Sequence, residues 1–259
     1  MPVRDRRFWL YHALWPALVF GLFATVSATT SLDQDFARAW AFSPVTRHFI
    51  GAGSGEWWAK DLLHSAGGVL VRIVGGLALL CWGLSFRINR LRPWRRPLGF
   101  VVLCVALGAG AVGILKQTTN VDCPWSLAEF GGQRPYVHLF ARRPAGLPLA
   151  RCFPGGHSSS GFALFSLYFL WLGRSRRAAR LALALALLVG GLFAFGQEAR
   201  GAHFLSHDVW SAAVVWCACV GVYVIGYRGS VWEPAAVSSS APPAASLPMQ
   251  YGPRQSSLP

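Results

Sequence analysis

Six apolar runs dominate this chain, at about 8–28, 62–86, 97–116, 157–173, 181–199 and 207–227. A helix needs roughly 20 apolar residues to cross the hydrocarbon of a bilayer, and in lipid it must satisfy its own backbone polar groups. The runs therefore predict an all-α fold, a membrane bundle of six transmembrane helices within residues 1–230. Only 13% of the residues are charged and 54% are hydrophobic, which excludes an ordinary soluble domain. Arg4, Arg6 and Arg7 precede the first run as in a signal peptide. That run is long, however, and Ala28-Thr29-Thr30 makes a poor cleavage site, so it reads as an anchor. Residues 231–259, with "PAAVSSSAPPAASLP", lack apolar periodicity and are expected to form a disordered tail.

The net charge of +14 raises the question of nucleic acid, and its placement answers it. Arginine clusters at 4–7, 87–96 and 174–180, with Arg228, all fall on one side of a six-span bundle. That side is cytoplasmic by the positive-inside rule, and both termini lie on it. No nucleic-acid partner is needed. The long opposite loop, 117–156, still carries Arg134, Arg142, Arg143 and Arg151, which suits an anionic ligand outside. Cys123 and Cys152 share that loop, where an oxidising compartment favours a disulfide; two free thiols are the alternative. Arg72 interrupts the second run, and the sequence names no partner for it.

Three polar islands are predicted at one membrane face. The third run ends in "GILKQTTNVDCPW", with Lys116 at its outer end. The fourth begins after "CFPGGHSSSG", where Gly155 and Gly156 lead into a helix carrying His157 and Ser158. Backbone N–H groups at such a helix start lack helical partners and form an anion site. A plain loop-to-helix junction would show the same glycines. The fifth and sixth runs meet at "GQEARGAHFLSHDVW". There Arg200, His203 and His207 recur at spacings of three and four and would share a face if helical, with Asp208 adjacent. Ionisable residues at the end of a membrane helix usually line a cavity and mark a site.

These segments resemble the signature of the type 2 phosphatidic acid phosphatase superfamily. Its pattern is Lys-x6-Arg-Pro, then Pro-Ser-Gly-His, then Ser-Arg-x5-His-x3-Asp. Here Lys116 is followed by Cys123-Pro124, the second motif reads "PGGH" at 154–157, and the third reads "RGAHFLSHD" at 200–208. The resemblance covers roughly 60–227. Cys123 stands where the first motif has arginine, Gln197 where the third has arginine, and His207 where it has aspartate. Arg200, Arg151 or Arg134 would supply the lost charge.

The resemblance implies a membrane phosphatase of a divergent bacterial branch that works through a phosphohistidine without metal or other cofactor. His203 would attack phosphorus. Asp208 would hold its opposite ring nitrogen, with His207 as the alternative. His157 would protonate the leaving group and then activate water. Lys116, Arg200, Gly155, Gly156, Ser158, Arg151 and His207 would bind the phosphate. Asp122, Glu129, Glu198 and Asp208 are scattered in sequence and form no evident magnesium site. The implied partners are membrane lipids and a lipid phosphate of the undecaprenyl diphosphate, phosphatidylglycerol phosphate or lipid A type. The implied place is the bacterial inner membrane, with the site facing the periplasm. A phosphotransferase acting on a second lipid, and a non-catalytic membrane protein, are the competing readings.

Overall fold

The computed structural model of the chain describes residues 3–53, 55–139 and 141–232, so the expected tail lies, beyond Trp232, outside the described residues. Helix α1 (Arg6–Thr29) leads through the short α2 (Leu32–Phe36) to a hairpin of β1 (Phe42–Ser43) and β2 (His48–Phe49). Helices α3 (Trp58–Leu84) and α4 (Asn89–Thr118) follow. After a long irregular loop come α5 (Gly156–Phe162), α6 (Phe165–Leu172), α7 (Arg176–Ala199) and α8 (Leu205–Gly226). Among the described residues, α1, α3, α4, α7 and α8 are long and apolar enough to cross a membrane.

The expected fourth span is broken into α5 and α6. At Ala163–Leu164 the backbone tightens: Leu164 N–H bonds Gly161 C=O at 3.2 Å and Ser166 N–H bonds Ala163 C=O at 3.1 Å. The Ser166 hydroxyl adds a 2.8 Å bond to the same Ala163 carbonyl, and such back-bonding bends helices. Apolar composition signals depth in the bilayer, and it is silent about such a break.

Aromatic side chains from several helices fill the bundle. Phe100 of α4, Phe165 and Phe169 of α5–α6, and Trp216 and Tyr223 of α8 form one buried cluster. Where α5 meets α7 the backbones nearly touch, because a Cβ on Gly161 would stand 2.7 Å from the Gly190 Cα. Small residues at helix crossings permit this approach, and larger ones would force the helices apart. At the arginine-rich end, Arg95 donates to the Ser85 carbonyl at 2.6 Å and Arg96 to the Ser230 carbonyl at 2.9 Å. These cations complete carbonyls left open where helices end.

The opposite end is capped by the two long loops. Phe49, Leu127, Phe130 and Phe204 form a second buried cluster there. Cys123 and Cys152 are joined, with their Cα atoms 5.2 Å apart. Asp122 receives Arg134 at 2.5 Å and Arg143 as well. Burial opposes ionisation of Asp122, but hydrogen bonds from Arg143 and Arg134 outweigh it and hold the carboxyl below its usual range. Arg134 is thus engaged inside the loop, and its guanidinium is committed to Asp122 rather than replacing the missing motif arginine.

Candidate active site

The three polar islands, distant in sequence, are tied together by backbone bonds. Gly155 N–H donates to the His207 carbonyl at 2.9 Å, and Ser211 Oγ donates to Gly155 C=O at 2.7 Å. These bonds join the second island to the third. Thr119 Oγ1 donates to Phe153 C=O at 2.7 Å, and Cys152 N–H to Val121 C=O at 3.1 Å, which joins the first to the second. Trp125 N–H donates to Gly201 C=O at 2.9 Å. Buried backbone groups without partners are costly, so each bond fixes the relative height of two islands.

His203 lies at the centre of this arrangement, in the short connection between α7 and α8 rather than on a helix. The expected common helical face for residues 200–207 is therefore absent, since α7 ends at Ala199 and α8 begins at Leu205. His203 is buried, and burial is the largest influence on its imidazole, followed by His207 and the Lys116 charge. Together they hold its pKa well below the ordinary value, against a hydrogen bond with Cys152 C=O that acts the other way. The ring is consequently neutral at neutral pH.

His203 Nδ1 and His207 Nδ1 lie 3.4 Å apart. Asp208, the residue expected behind His203, faces elsewhere. Its Oδ1 accepts the Ser158 hydroxyl at 2.5 Å. One residue around a helix is a turn of about 100°, which carries Asp208 off the face that His207 occupies. His207 thus stands in the place the resemblance gives to aspartate. Ser158 is fully buried, and its hydroxyl is directed to Asp208 and to Gly155 C=O, so it is not a phosphate donor here. The Gly155 amide is likewise committed to His207. Gly155 must remain glycine, because a Cβ there would overlap Asp208 Oδ1 and Ser158 Oγ. Gly156 fares differently: a Cβ on it would lie 3.6 Å from Lys116 Nζ, which places the ammonium against this turn.

His157, on the first turn of α5, contacts Leu63 C=O through Nε2 at 3.0 Å. Its ring lies against His64 of α3, tilted by 33° with centroids 4.6 Å apart. His64 Nδ1 accepts from Gln197 Nε2 at 3.2 Å, and Gln197 Oε1 accepts from Arg200 Nη1 at 3.1 Å. Arg72 also reaches this cluster. A Cβ on Gly68 would stand 3.1 Å from His157 Cε1 and 3.6 Å from Arg72 Nη1. Arg151 is exposed, and no described contact joins it to Lys116, His157 or His203.

Sequence reasoning missed several members of this site. His64 was a histidine inside an apolar run, and that alone was the available signal. Asp33 of α2 accepts from Ser206 N–H at 3.0 Å and from Ser206 Oγ at 2.6 Å, capping α8 beside His207. Its burial raises the carboxyl pKa, opposed by those bonds from Ser206. Glu198 and Asp208, far apart in sequence, line one crevice. Even so, no group of three His, Cys, Asp or Glu side chains is placed to hold a metal ion among the described residues.

Fold and site define a polytopic membrane protein with a cluster of histidines and cations at one end of its bundle. Residues 97–229, just over half of the chain, match the PAP2 superfamily, and the chain belongs to it. The lipid A 4'-phosphatase of Francisella tularensis subsp. novicida (strain U112) is 25% identical over 211 residues, covering 76% of this chain and 87% of the relative. No solved structure matches the chain significantly.

Proposed function

We propose that the protein hydrolyses a lipid-linked phosphate through a phosphohistidine formed on His203. The observation that carries this reading is the buried, neutral His203 beside Lys116 and His157, at the positions where the family signature has its lysine and histidines. If His207 Nδ1 is the acceptor of their 3.4 Å contact, His203 keeps its proton on Nδ1 and presents the Nε2 lone pair to phosphorus. The Nε2–P bond forms as the P–O bond to the leaving group breaks.

His157 supplies the proton. The Leu63 carbonyl holds an Nε2–H, so when His157 starts as the imidazolium its second proton, on Nδ1, is the one given to the departing oxygen. The same nitrogen, now bare, takes a proton from the water that releases phosphate and regenerates His203. Lys116 and Arg200 meet the equatorial oxygens, where charge accumulates in the transition state.

A crevice of about 380 Å³ runs from Phe20 and Leu187 to Glu198 and Asp208, with a largely apolar lining. It offers a hydrocarbon tail an apolar place on the Asp208 side of α8. Lipid A, undecaprenyl diphosphate and phosphatidylglycerol phosphate are the substrate types considered. The relative of matching length supports the first. The disulfide and the arginines at the far end support a periplasmic site in the inner membrane.

Purified protein given these lipids in EDTA is expected to release free phosphate. Acid-quenched enzyme should carry label from 32P-substrate in an acid-labile, base-stable linkage, and His203→Ala should carry none. Activity that disappears with chelator and returns with magnesium would refute the metal-free route.

A further inference from the structure

Beside the reaction centre is a second cavity, of about 420 Å³, that shares only Arg200 with the phosphoryl chemistry. Its floor is Gly51 to Gly53, and its walls carry Glu56, Trp57, Lys60, Asp61, Trp125 and Arg200. Both sides are anchored to the third motif. Gly51 N–H bonds Ala199 C=O at 2.8 Å, and Trp125 N–H bonds Gly201 C=O at 2.9 Å. The cavity is therefore held at a set distance from His203, with Arg200 common to both.

Its chemistry narrows the occupant. Trp57 and Trp125 are 62% and 46% exposed, far more than rings serving as core. Glu56 and Asp61 bring acceptors, while Lys60 and Arg200 bring donors. Among the described residues, the ion pairs involve only Arg38, Arg134 and Arg143 as cations, so these four charged groups are not satisfied by one another. Glu56 accepts from Trp58 Nε1 at 2.6 Å and Arg200 donates to Gln197, but an acyl chain would still dehydrate all four charges. A second phosphate would face two carboxylates. An ammonium head group would face two cations and fill little of the volume. A pyranose unit matches every element, since its C–H face packs on indole and its hydroxyls both donate and accept.

We infer that this cavity is a carbohydrate subsite, and that the substrate is a phosphorylated glycolipid whose sugar rests between Trp57 and Trp125 while its phosphate reaches His203. The inference rests on the proposed phosphatase reading and adds the substrate class to it. Arg200 links the two subsites, meeting the phosphate from one side and the sugar from the other.

The test compares two lipids, diphosphoryl lipid A and dioleoyl phosphatidic acid, which carries no sugar. Trp57→Ala and Trp125→Ala are each expected to raise KM for lipid A about tenfold, the weight of one well-placed contact. For phosphatidic acid, KM and kcat should not change. Asp61→Asn, an exposed change with no packing role, should raise KM for lipid A alone by a smaller factor. Equal losses on both lipids, or no loss on lipid A, would overturn the subsite. Binding is measured separately by thermophoresis of His203→Ala in detergent, with the same substitutions added. Weaker lipid A binding there supports the subsite even if no phosphate is released, an outcome that would refute only the phosphatase reading. Stronger competition by a phosphoethanolamine lipid than by lipid A would overturn the sugar assignment.

Discussion

Two histidine pairs stand at the same end of the bundle and are built differently. His203 and His207 meet nitrogen to nitrogen, at 3.4 Å, in full burial. His64 and His157 meet ring against ring, tilted by 33° with centroids 4.6 Å apart, each only partly buried and each anchored by a neighbour outside the pair. A ring deprived of water and aligned through one nitrogen is suited to remain neutral and attack. A ring leaning on another, with one nitrogen tied to a backbone carbonyl, is suited to pass a proton at the nitrogen left over. On the proposed mechanism, identical side chains take different tasks according to what holds the second nitrogen.

The sharpest way to break this comparison is to remove the proton carrier. His157→Ala should slow hydrolysis of a lipid phosphate roughly 10³-fold. With p-nitrophenyl phosphate, whose leaving group needs no acid, the same variant should still form phosphoenzyme and show a burst. Absence of a burst, with His203 phosphorylation also lost, would mean that the two histidines do not divide the work as proposed.

Next in size is His207. His207→Asp restores the carboxylate of the family signature at this position. It should retain activity within roughly tenfold of the parent, whereas His207→Ala should lose about 10²-fold, because only the former keeps an acceptor for His203 Nδ1–H. Equal activity of the two variants would remove His207 from the orienting role.

The smallest effect concerns His64 and the acidity of His203. His64→Ala should lower kcat roughly fivefold with KM unchanged, since the ring positions His157 without touching substrate. The pH profile supplies the matching measurement for the other pair. A nucleophile works when unprotonated, and burial has lowered the His203 pKa well below 6.5. The acid limb of kcat/KM should therefore lie below that pH. Lys116→Met removes a charge that helps to lower the pKa, so the limb should move upward. An unmoved limb would show that His203 does not set it.

Much of this site was legible along the chain, because some of its information is local. Lys116 at a helix end, His157 after two glycines and His203 before the last span stand out as polar breaks in apolar runs, and the family resemblance singles them out. What escaped was angular or long-range. Asp208 looked like the natural partner of His203, yet one residue of helical rotation turned it to Ser158. Arg134 looked available for phosphate, yet Asp122 claims it from twelve residues away. Arg72 gave no sign of its place, which is near His157 where α3 and α5 lie side by side at Gly68. His64 gave no motif at all.

The order of apolar and polar segments, by itself, determined that the chain is a helical membrane bundle and that three polar islands gather at one end, since a bilayer admits few ways to bury such runs. Tertiary structure alone decided which nitrogen faces which partner, which arginines are already engaged and where the fourth span breaks. Those outcomes depend on rotations about helix axes and on contacts between segments many residues apart. A one-dimensional pattern carries neither.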